Sequence, residues 1–162
     1  MMLATTGVAQ TPGCQDEPKY QALDFWLGQW RVVNGKGDFQ GDNHIESILD
    51  GCAVVEHWTS SSGNKGLSLF YITDDQWHQV WVTPFARAPG GIKVKHELLT
   101  FEGEGIRFQG EIQRQDGSRY LDRTTLKSLD DGKVQQQIEV STDGGDNWKM
   151  TFDAIYLPVA DK

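Results

Sequence analysis

The chain has 162 residues, 38% of them hydrophobic and six of them tryptophan, which is enough for one packed domain and too apolar for a disordered one. Its 15 basic residues stand against 23 acidic ones, and the resulting formal net charge of −8 repels phosphate backbones and anionic membrane surfaces. Nucleic acid is therefore not an expected partner, and no apolar run approaches the roughly 18 residues that a membrane-spanning helix needs.

The chain opens on MMLATTGVAQ, where GVA before Gln10 has the small-x-small pattern of a signal-peptide cleavage site without a basic region ahead of it. Residues 1–23 are accordingly read as an N-terminal tail with a signal-peptide remnant, 24–158 as a single β-barrel domain and 159–162 as a C-terminal tail. Export implies a periplasmic or secreted protein; the alternative is a frayed tail on a cytoplasmic one. Cys14 and Cys52 are the only cysteines, an even count that points to one disulfide in an exported chain and to two free thiols in a cytoplasmic one.

Beyond residue 28 the pattern has period two. Strands are expected at 29–34, 41–49, 53–60, 66–73, 76–84, 92–100, 105–113, 120–128, 133–141 and 147–156, because apolar and polar residues alternate between turn signals and no helical period persists. TDDQ, QDGS and DDGK read as tight hairpin connections, in which Asp bonds the turn backbone and Gly accepts positive φ. About ten consecutive hairpin-linked strands with no covering helices predict an all-β, up-and-down antiparallel barrel, which closes to remove its edges. The wider connections TSSSGNKG and FARAPGG are expected at its mouth. STDGGDNW (141–148) matches the Asp-box of sialidases, S-x-D-x-G-x-x-W, but a single copy cannot build a propeller. Here it reads as a hairpin turn that returns Trp148 to the core.

The stretch LDFWLGQW carries Gly28-x-Trp30, similar to the G-x-W opening of lipocalins. Together with GCAVVEHW, QWHQVWV and VSTDGGDNWKMTFDAIY, in that order from Asp24 to Tyr156, it resembles a family of functionally uncharacterised, mostly exported bacterial proteins with a lipocalin-like (calycin-type) barrel. The resemblance implies a fold and a cavity and assigns no catalytic residue. It also makes Arg123 the basic residue expected to pack over Trp30.

Strand parity proposes the cavity wall. Val54, Glu56 and Trp58 are expected inside with Trp77, Gln79 and Trp81, because three exposed tryptophans would leave large apolar areas in water. Gln136 with Ile138, and Phe152 with Trp148, Met150, Ala154 and Tyr156, share inward faces. Phe70 completes the expected ligand-binding set of Glu56, Trp58, Phe70, Trp77, Gln79, Trp81, Gln136 and Phe152. The same stripes are also what a filled barrel requires.

His44, His57, His78 and His96 lie on four different strands with no ligand spacing, so no metal is expected, and no fingerprint of a nucleotide cofactor is present. Two functions of different class follow. One is the binding of a small hydrophobic or amphipathic molecule; the alternative is an enzyme acting on such a molecule with Glu56, desolvated on an inward face, as general acid or base. Apolar residues on both faces of strands 53–60, 66–73 and 76–84 call for cover, either from a homodimer or from residues 10–24.

Overall fold

A computed structural model describes residues 13–84 and 87–159. Ten strands run in chain order: β1 Gly28–Asn34, β2 Phe39–Ile48, β3 Ala53–Ser60, β4 Lys65–Thr73, β5 Gln76–Val82, β6 Ile92–Glu97, β7 Ile106–Gln113, β8 Arg119–Ser128, β9 Val134–Ser141 and β10 Lys149–Pro158. Each pairs antiparallel with the next, and β10 returns to β1 (Val32 opposite Tyr156), so the sheet closes as an up-and-down barrel. The expected strands are all present, and the all-β up-and-down architecture is as expected. The largest boundary difference is at β6, which ends at Glu97 because Leu98–Gly105 turns away after only two residue pairs with β7.

The tight turns form as their residues dictate. Asp74 and Asp75 both take positive φ (52° and 59°), the conformation of a two-residue hairpin whose twist matches the flanking strands. Asp131 does the same in the DDGK turn, with φ 58°.

The two ends of the barrel differ. Short 3₁₀ segments at Cys14–Asp16, Pro18–Gln21 and Asp24–Trp26 fold beneath one end, held by the Cys14–Cys52 disulfide across a separation of 38 residues. Leu23 and Trp26 enter the barrel and pack with Trp30, Val32, Ile45, Phe70, Phe108 and Tyr156. Trp26 meets Phe70 and Tyr156 edge to face, and Trp30 Nε1 donates to the Trp26 carbonyl at 2.8 Å, so this half of the interior is solid.

Because residues 13–24 plug the end, they leave the flank of β3–β5 partly bare; residues 10–12 of the expected cover lie outside the described residues. Leu67 and Val82 remain exposed there, as do Ile92 and Val94 on the adjoining β6, and the expected cover from this segment is corrected accordingly.

The register of β10 corrects a second expectation. A bulge between Met150 and Phe152 puts an extra residue into the strand and reverses which face the following residues take. Phe152, Ala154 and Tyr156 point inward as expected, whereas Met150 is exposed and Trp148 lies on the outer surface. There Trp148 Nε1 donates to the Gly145 carbonyl, and the Arg123 guanidinium stacks 3.8 Å from the indole centroid while pairing with Glu139. Arg123 thus packs over Trp148 and not over Trp30. The Asp-box turn is a closed hydrogen-bonded unit: the Asn147 backbone, the Ser141 hydroxyl and the Asn147 amide all donate to Asp143, holding its carboxyl down at about 2.

Candidate functional site

The disulfide-linked plug fills only the lower half of the barrel. In the upper half the inner faces of β3, β5, β6, β8, β9 and β10 enclose a cavity of about 180 Å³, lined by Glu56, Trp58, Gln79, Trp81, Lys93, Lys95, Thr124, Gln136, Ile138 and Phe152. Six of the residues expected from parity are therefore on one wall system: Glu56, Trp58, Gln79, Trp81, Gln136 and Phe152. Phe70 and Trp77 are not among them. Both are in the packed core, Phe70 against Trp26 and Phe108, and Trp77 with its Nε1 donating to the Lys19 carbonyl of the plug. Inward parity is right for both, but the N-terminal segment occupies the space they face.

Glycines let the two cavity indoles lie flat against the mouth. A Cβ built on Gly66 would sit 2.1 Å from Trp81 Cη2, and one on Gly41 would sit 2.7 Å from Trp58 Cη2. Each tryptophan thus covers a strand position that has no side chain of its own. Phe152 meets Trp58 edge to face at 6.2 Å and completes the apolar rim.

Below the rim the wall is polar and ordered. Glu56, buried on β3, accepts from Asn43 Nδ2 at 2.8 Å and from the Ser68 hydroxyl at 2.6 Å, and Gln79 Nε2 donates to Ser68 Oγ at 3.1 Å. Asn43 Nδ2 also donates to the Tyr156 hydroxyl, which donates in turn to Gln136 Oε1. Burial pushes the Glu56 carboxyl above its usual range, although Ser68, Asn43, Lys95 and His57 act in the opposite direction. Burial and the neighbouring Glu56 likewise raise Tyr156 well above an ordinary phenol. Among the described residues, Gln79 Oε1 and Asn43 Oδ1 are buried acceptors without a hydrogen-bond partner.

The facing wall carries a charge cluster that sequence reasoning missed. Asp122, fully buried on β8, accepts from Lys93 Nζ at 2.6 Å and from Lys95 Nζ at 2.7 Å; Lys95 also donates to Thr124 Oγ1. Burial alone would raise the Asp122 carboxyl, but the two ammonium groups outweigh it and hold it below the usual aspartate range. Burial lowers Lys95, while for the more accessible Lys93 the attraction of Asp122 prevails over burial and raises it.

Gly110 on β7 makes the arrangement feasible, since a Cβ there would press on the Val94 carbonyl at 2.2 Å and on Lys95 Cγ at 3.2 Å. The hydropathy of β6, IKVKHE, argues for the reverse orientation, with Ile92 and Val94 inside. Instead they are 44% and 51% exposed and Lys95 is 3% exposed. The one available signal, an Asp within the otherwise uncharged inner row of YLDRTTLKS, names a partner but not the strand that supplies the lysines.

No group of three or more His, Cys, Asp or Glu side chains suited to a metal ion occurs among the described residues. His57 faces outward and bonds Glu46, and His78 stacks on Tyr71. The fold and site together define a closed antiparallel barrel, calycin-like in architecture, with a half-filled interior and a polar-floored cavity. Compared with known proteins, the chain matches no protein-family model and no curated protein by sequence.

The buried position of Glu56 gives a pH prediction. A carboxyl whose folded pKa lies above its unfolded value adds stability that is fully present below the unfolded pKa and is lost as pH rises through the folded one. Glu56→Gln should therefore gain stability relative to the wild type as the buffer is raised from about pH 4 to about pH 8. Urea midpoints of both proteins across that range check it; a difference that does not change with pH contradicts the direction assigned to Glu56.

Proposed function

We propose that the barrel binds one small hydrophobic or amphipathic molecule in the cavity between Trp58, Trp81 and Phe152. The observation that carries this reading is the cavity itself, about 180 Å³ with two indoles and a phenyl ring at its rim and hydrogen-bonding groups at its floor. That make-up is typical of small-molecule sites, and an apolar cavity of roughly 150 Å³ already admits a benzene-sized guest. The ligand is thus a single-ring or short branched molecule. The alternative, catalysis by Glu56, has less support: Asn43 and Ser68 each donate to one of its carboxylate oxygens and tie it into the wall.

The Cys14–Cys52 disulfide supports placing the protein in an oxidising compartment, periplasmic or extracellular. With the closed barrel, it also supports the reading of an exported lipocalin-like binding protein.

Binding should change the surroundings of Trp58 and Trp81, so benzyl alcohol is expected to alter the intrinsic fluorescence saturably. At about −0.5 kcal/mol per non-hydrogen atom, a probe of this size has a Kd on the order of 1 mM. Trp81→Ala should weaken binding, whereas Trp148→Ala, on the outer surface over Arg123, should leave it in place. A linear, non-saturating response from a panel of such probes would remove the binding reading.

A further inference from the structure

We infer that the cavity is selective for an organic anion, a small aromatic or branched-chain carboxylate whose acid group docks on Lys93 and Lys95 while its apolar part lies between Trp58, Trp81 and Phe152. The inference rests on the binding reading above and adds the ligand's charge and head group.

Three observations carry it. First, two ammonium groups share a single carboxylate. Asp122 is buried behind Lys93 and Lys95, and only the lysines line the cavity, so this wall presents positive charge inward. An ammonium has three donors. Lys95 gives one to Asp122 and one to Thr124; Lys93 gives one to Asp122. At least one N–H remains on each, which suits the two oxygens of a carboxylate.

Second, the opposing acid is not placed to hold a cation. Glu56 is tied to Asn43 and Ser68, and the other charged or titratable groups near it are Lys95 on β6, Tyr156 on β10 and the outward His57 on β3. Lys93 and Lys95 both pair with Asp122, so among the described residues two ammonium groups share one carboxylate in ion-pair contact, and a ligand anion supplies the second counter-charge.

Third, β6 is turned against its own hydropathy, burying Lys95 while Ile92 and Val94 face water. Stability alone favours the opposite face, and departures from local rules of this kind concentrate at functional sites.

Isothermal titration of the full chain with benzoate, benzyl alcohol and benzylamine at neutral pH tests the inference. Benzoate should bind roughly tenfold more tightly than the alcohol, with the amine weakest. Lys93→Met should bring benzoate down to the affinity of the alcohol. Lys93 is partly accessible at the mouth, and an unchanged near-ultraviolet circular dichroism spectrum verifies that the variant keeps its core. If the alcohol or the amine binds as tightly as benzoate, or if Lys93→Met preserves the preference, the anion assignment is overturned while the binding reading stands. If none of the three probes gives a saturable heat, both are overturned.

Discussion

Replacing Asp122 by alanine should destabilise the protein by about 3–5 kcal/mol, because it strands a buried ammonium without its counter-ion. Lys95 would keep only Thr124 as a partner in a site from which water is nearly excluded, and Lys93 would lose the contact that holds it over the cavity. For a chain of this length the loss corresponds to a Tm lower by roughly 10 °C. The pH dependence has a definite sign. Asp122 is held below the ordinary range, so its contribution is present above its unfolded pKa and is lost as pH falls through the folded one. The double variant Lys95→Met/Asp122→Leu should recover most of the loss, since a buried ion pair and a well-packed apolar replacement are often nearly equal in stability. Urea denaturation of the single and double variants measures both. Equal damage in the two would mean that the cluster stabilises the barrel in its own right and is not kept for a ligand.

The second large effect is at the other end of the barrel. Opening the Cys14–Cys52 bridge should cost about 4 kcal/mol, the chain-entropy value for a closed loop of roughly 38 residues. The barrel should nevertheless persist, because Leu23 and Trp26 anchor the plug through core packing and Lys19 accepts from Trp77. The expected signature is a lower urea midpoint in dithiothreitol or in Cys14→Ser/Cys52→Ser, with the native circular dichroism spectrum kept in buffer. A change under about 1 kcal/mol would mean that the plug is held by its apolar contacts alone.

These two regions also mark how far the sequence could be read. The strands were legible because the period-two alternation is continuous from Gly28 to Tyr156 and turn residues such as Asp74–Asp75 interrupt it. Parity found Glu56, Gln79 and the two rim tryptophans because the indoles of β3 and β5 mark which face of each strand turns inward. Three places were beyond its reach, for different reasons. A bulge in β10 is invisible in the composition of NWKMTFDAIY, yet it moves Trp148 and Met150 to the outside. Phe70 and Trp77 point inward as expected, but whether an inward residue meets a cavity or a plug depends on a segment with no strand pattern of its own. In β6 hydropathy favours the opposite face from the one the barrel uses, because the register with β5 places Lys93 opposite Trp81 and Lys95 opposite Gln79. A local hydropathy rule cannot reveal a strand whose lysines are matched by an aspartate two strands away.

The central claim is that the upper half of the barrel is an open site and not packed core. The indole cross-peaks in a ¹H–¹⁵N correlation spectrum test it residue by residue, since each of the six tryptophans supplies one probe at a known place. On titration with benzoate, Trp58 and Trp81 should shift saturably with one common Kd, while Trp26, Trp30 and Trp148, in the plug, the core and the outer surface, stay in place. Unmoved Trp58 and Trp81 at saturating probe, or shifts confined to Trp148, would contradict the account.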